Sequence, residues 1–127
     1  MDEKRTLLKH FLAVLAYRTQ KALRDARPEF ANFRAAPQVR TPHELIRHMD
    51  SVLGYSRTYF LGGTYQPPTL PDFSAAMTHA GQLALLRRLS GSPVPPENFI
   101  FADIAPENLS PNQPQPRSPD KHWPEKP

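Results

Sequence analysis

The sequence predicts an all-α chain: an up-down bundle of three long helices over residues 1–92, followed by a proline-rich extended tail over residues 93–127. Three observations carry that reading. Apolar residues recur at helical spacing in three separate segments. Clusters of Pro and Gly punctuate the chain between them. Ten of the 16 prolines in this 127-residue chain fall after Ser92, where they leave little scope for packed core.

The first segment runs from Glu3 to Ala26. Leu8, Phe11, Leu12, Leu15, Ala22 and Leu23 repeat with the helical period, and Leu7 and Val14 widen the stripe. Pro28 and the mixed stretch to Arg40 end it. His10 projects away from the stripe and is expected in solvent.

The second segment has the clearest start. Thr41 is placed as N-cap, Pro42 occupies the first turn where its missing N–H costs nothing, and Glu44 closes a capping box. Gly62-Gly63 should stop the helix. At about 100° per residue, Leu45, Met49, Val52, Leu53, Ser56 and Phe60 share one face. His48 sits at its edge, and His43 points almost opposite.

A third helix is expected from near Asp72, after Pro67-Pro68 and Pro71, to near Ser90-Gly91. Its wheel puts Ala75, Ala76, His79, Leu83 and Leu86 on one face, with His79 near the centre and Arg88 outward. Beyond Gly91, Asn98–Ile104 concentrates apolar residues between prolines and reads as a short extended segment pressed onto the helices. From Ala105 onward the prolines favour polyproline II or disorder, with Trp123 as the expected anchor. A structural tail fits this composition better than an SH3-type ligand.

Composition narrows the chemistry. With no cysteine there is no disulfide, no thiolate nucleophile and no Cys-ligated metal, so any metal must rest on nitrogen and oxygen ligands. The net charge of +4, from 16 Lys and Arg against 12 Asp and Glu, is scattered along the helices, the pattern of a solvated surface and not of a nucleic-acid interface. No apolar run approaches membrane-spanning length and no leader pattern opens the chain, so a cytoplasmic protein is expected.

The informative pair is His48 and His79, two imidazoles that separate helices turn toward the interior. An inward histidine is either a hydrogen-bonded core residue or a ligand. Two of them from different helices are the beginnings of a metal site in a helical bundle. A third ligand is not evident.

Three stretches together resemble the DinB-like family of helical-bundle proteins. They are Leu7–Leu23; Arg40-Thr-Pro-His-Glu-Leu-Ile-Arg-His-Met49 through Gly62; and Met77-Thr-His-Ala-Gly-Gln-Leu-Ala-Leu-Leu-Arg-Arg-Leu89. The resemblance spans roughly the first hundred residues. It implies a four-helix bundle holding a divalent metal on three ligands, with His48 and His79 matching two of them. The third position, four residues before His79, is Ala75. Gln82, on the turn after His79, would hydrogen-bond a metal-bound group, and Asp72, seven residues before His79, is a more distant substitute ligand. Zn or Ni, weakly held, is the implied metal. Some members of the family use a low-molecular-weight thiol in transfer or isomerisation chemistry.

Compared with that family one helix is missing, since only Thr64–Phe73 joins the second and third segments. Each Leu or Phe left uncovered forgoes roughly 1.5–3 kcal/mol of burial. A symmetric dimer or a fold-back of Asn98–Ile104 would cover the opened faces, and a homo-oligomer is the expected state. Two functional readings follow: a metal-dependent enzyme with thiol chemistry, impaired here, or a non-catalytic module that self-associates or binds a partner.

Overall fold

A computed structural model describes residues 2–63, 73–95, 97, 99 and 102–116. Its helices are α1 (Glu3–Leu23), α2 (Pro42–Phe60) and α3 (Phe73–Leu89), with a 3₁₀ turn, Pro28–Asn32, between the first two. No strand occurs among the described residues, in keeping with an all-α chain. Asp72 and Trp123 lie outside the described residues.

Local chemistry sets the helix ends. Asp2 caps α1 by accepting from the Lys4 amide at 3.1 Å. The helix stops at Leu23, short of the expected Ala26, because Asp25 adopts φ +55°, a left-handed conformation that Asp tolerates better than most residues. The capping box of α2 forms in full. The Glu44 amide donates to the Thr41 hydroxyl at 3.2 Å, and the Thr41 amide donates to the Glu44 carboxylate at 3.4 Å. Arg34 reaches the same carboxylate at 2.7 Å and holds it below its ordinary pKa.

The core is built around α3, against which both α1 and α2 pack. Ala76, Ala80, Leu83 and Leu86 meet Leu15 and Ala22 of α1, Leu45 and Met49 of α2, and Phe30 of the 3₁₀ turn. This corrects the expected wheel of α3. Its fully buried line is Ala76, Ala80, Leu83 and Arg87, so the face centre is rotated by roughly 60° from His79. Part of that line is Arg87, which apolar periodicity counts as a surface residue and which is only 3% exposed. Its Nε donates to the Ser92 carbonyl at 2.8 Å, and its Nη1 donates to the Ala22 and Arg24 carbonyls at 3.0 and 2.8 Å. These are the last carbonyls of α1 and its cap, where a cation is favoured by the helix dipole.

The outer ends of the expected stripes are less covered. Leu7 and Phe60 are exposed, although the periodicity assigns both to apolar faces. Burial there would need a neighbour on their outer side.

The sequence stripe also misses a second buried face on α1. Ala13, Tyr17 and Lys21, at i, i+4 and i+8, point roughly 150° away from Leu15 and Ala22. The chain after α3 covers them. Tyr17 Oη donates to Glu97, Lys21 Nζ lies 3.0 Å from the other Glu97 oxygen, and Tyr17 meets Phe99 edge-on at 6.4 Å. Arg18 and Lys21 sit over the Phe99 ring at 3.9 and 4.4 Å. Burial, reinforced by the neighbouring Glu97, pushes the Tyr17 pKa up. Further on, Arg24 donates to the Pro114 carbonyl at 2.8 Å and to Gln115 at 3.1 Å.

Between α1 and α2 runs a groove of about 750 Å³. Leu12, Leu15 and Leu23 form one wall, Ile46, Met49 and Leu53 the other, and Leu109–Pro111 border it. Phe99 does not close this groove; it packs on the Tyr17 face of α1 instead. No described helix is long and apolar enough to cross a membrane.

The Glu97 contact makes a direct prediction. Glu97→Gln keeps an acceptor for Tyr17 but removes the charge opposite Lys21, whose side chain is 9% exposed. Denaturant unfolding should show a loss of about 3 kcal/mol or less, because the segment can lift away and rehydrate Lys21 before the full cost of an unpaired buried cation is reached. Hydrogen exchange at residues 102–104 should quicken at the same time. Unchanged stability and exchange would show that the ion pair does not hold this segment.

Candidate metal centre

His48 lies in the second turn of α2, on the border between its core face and solvent. His79 lies near the middle of α3. Because α2 packs along α3, the two rings meet with centroids 4.9 Å apart and planes inclined at 75°. Both are half-buried, so the pair sits at the bundle margin and not at the centre of the apolar face that the periodicity assigns to His79. His10 and His43 are exposed.

Gln82, one turn beyond His79, sits with Oε1 2.8 Å from His79 Nδ1. A carbonyl oxygen only accepts, so in the neutral ring this contact has Nδ1–H donating to Oε1 and leaves the lone pair on Nε2. This is how metal-binding imidazoles are commonly oriented. Desolvation lowers the His48 pKa, and the Arg40 charge and His79 lower it further. A lowered pKa favours the neutral ring, the form that donates a lone pair.

The donor set fits a divalent ion only in part. Two imidazoles that each place a nitrogen about 2.0–2.1 Å from one ion have ring centroids no more than roughly 6.5 Å apart, and the observed spacing falls inside that limit. Among the described residues no third His, Asp or Glu completes a group of three. Ala75 occupies the position one turn before His79, half-buried, and contributes a methyl group where a ligand would be needed.

The groove between α1 and α2 is a separate feature. On the α2 wheel its residues Ile46, Met49 and Leu53 lie roughly 100–160° from His48, with Leu45 between. This apolar groove and the histidine pair therefore occupy different sides of α2.

Sequence periodicity missed Arg87 and the Tyr17–Lys21–Glu97 cluster. The i, i+4, i+8 spacing of Ala13, Tyr17 and Lys21 was the available signal for the second. For Arg87 there was none, because its partners are backbone carbonyls. Comparisons with protein-family models, characterised proteins and solved structures find no match to this chain.

The histidine geometry predicts a titration. His48 should titrate below about 6.5, the ordinary imidazole value, and His79→Gln should raise its midpoint by removing the neighbouring imidazole that helps to lower it. Below about pH 6.5 the unfolded chain then binds more protons than the folded one, so this group's contribution to stability declines as pH falls toward and through the folded midpoint. NMR titration of the imidazole resonances measures both; a His48 midpoint at or above the ordinary value would contradict the assigned environment.

Proposed function

We propose that this chain is a DinB-like helical module whose divalent-metal site retains two of three ligands, His48 and His79, and whose thiol-dependent transferase-type chemistry is impaired. The observation that carries the reading is the approach of the two rings to 4.9 Å from separate helices, with Gln82 Oε1 2.8 Å from Nδ1 of one. A bound Zn²⁺ or Ni²⁺ would act as a Lewis acid, lowering the pKa of a coordinated thiol or water. His48 and His79 supply neutral nitrogens, Gln82 orients the second, and the half-buried setting admits solvent to the other positions. Two imidazoles leave most of the coordination shell to water, so the affinity is low.

Calorimetry on protein carrying no histidine tag tests this. The unmodified chain should bind Zn²⁺ weakly, and Ala75→His, which adds a ligand one turn before His79, should tighten binding by about tenfold or more. Tight binding in the unmodified chain, or no gain in the variant, would refute the ligand assignment.

A second reading, a non-catalytic module that self-associates, is supported by the groove between α1 and α2 and by exposed Leu7, Phe60 and Leu61. Cytoplasmic residence accords with this reading. Sedimentation across a wide concentration range should show reversible dimer formation, weakened by Leu53→Glu on the groove wall. A compact monomer at every concentration would exclude it.

A further inference from the structure

Arg87 ties α3 to α1 with only part of its donor set. Its three hydrogen bonds to the Ser92, Ala22 and Arg24 carbonyls use Nε and Nη1, which leaves both N–H donors of Nη2 without a hydrogen-bond partner among the described residues. Guanidinium carries five N–H donors and stays charged. The group is 3% exposed, and no carboxylate among the described residues lies within ion-pair distance of it. The carbonyls offer only dipoles, and the charge of Asp25 acts on the group from beyond ion-pair distance.

Arg87 borders a pocket of about 240 Å³ between the 3₁₀ turn and the end of α3. Arg27 stands at its exposed rim, Ser90 and Ser92 line one side, and Phe30 and Phe33 provide aromatic walls. The Phe30 ring lies 5.6 Å from the Arg87 guanidinium carbon. Glu29 is also part of the lining, and the charge of Asp25 acts on Arg87, so the two cations Arg27 and Arg87 are accompanied by two carboxylates. The two unused Nη2 donors of Arg87 suit one carboxylate group, whereas a dianion would be repelled by Glu29 and Asp25. The aromatic walls require an apolar body behind the charged group.

We infer that this pocket binds a small organic carboxylate, its oxygens received by Arg87 Nη2 and Arg27 and its apolar body laid against Phe30 and Phe33. Charge-assisted bonds to guanidinium are the strong class of hydrogen bond, and a partly buried setting strengthens them. The site lies eight residues beyond His79 along α3, about 12 Å of helix, and is independent of the histidine pair.

Benzoate is the probe, with benzamide as its neutral counterpart and inorganic phosphate as the anion lacking an apolar body. Titrated into the ¹⁵N-labelled full chain, benzoate should shift the Arg87 Nε resonance and the Ser90 and Ser92 amides along one saturable curve. Benzamide should leave them unmoved, and Arg27→Gln, at an exposed position, should weaken benzoate by about tenfold, the loss of one charge-assisted bond. The inference is overturned by any of three results: no saturable shift by about 10 mM, well beyond the millimolar end of the affinity scale; equal binding of benzamide; or tighter binding of phosphate than of benzoate.

Discussion

The structure depends on the sharing of one helix face. Ala76, Ala80 and Leu83 are buried at 0–3% exposure because α1 and α2 both pack against α3. Two alanines keep that face low, so its neighbours approach closely, and Leu83 fills the space between them. Small bundles hold their stability on few such contacts. The same arrangement that closes the core on α3 leaves a groove of about 750 Å³ between α1 and α2.

Buried polar groups decide how the rest of the chain attaches. Arg87 would be costly inside the fold without its three carbonyl partners, which belong to the ends of α1 and α3. It fixes the relative position of those ends while charging the pocket beside Phe30. On the far face of α1, the Tyr17–Lys21–Glu97 cluster serves the segment after α3 in the same way. The Lys21 contact acts through charge and not through an aligned hydrogen bond, since the Glu97 oxygen it approaches has no hydrogen-bond partner among the described residues. Desolvation offsets much of such a contact's attraction, so its main effect is to select one docked arrangement.

The proposed metal site and the groove follow from different sides of α2, which separates their chemistry. His48 and His79 need only the α2–α3 contact, and a change in how the groove is covered does not require the two rings to move. A module could therefore retain imidazoles poised for a metal while using its apolar face for association. The half-buried setting of the rings favours exchange with water over the dry enclosure that strong metal catalysis uses.

Local sequence by itself determined the helices and most of their ends. Thr41, Pro42 and Glu44 act within four residues of one another, so the capping box could be read before any tertiary contact was known. The outward directions of His10 and His43 followed from helical period alone, as did the inclusion of Leu15, Leu45, Met49 and Leu83 in the core. Tertiary structure decided which part of each wheel became the centre. Arg87 lies in the core because the Ala22, Arg24 and Ser92 carbonyls offset its desolvation, while His79 lies at the margin. Tyr17 and Lys21 were buried by Glu97 and Phe99, residues remote in sequence whose contacts no helical period records. Periodicity reports the faces of isolated helices; the meeting of His48 with His79 required the packing of α2 on α3, a property of two helices together.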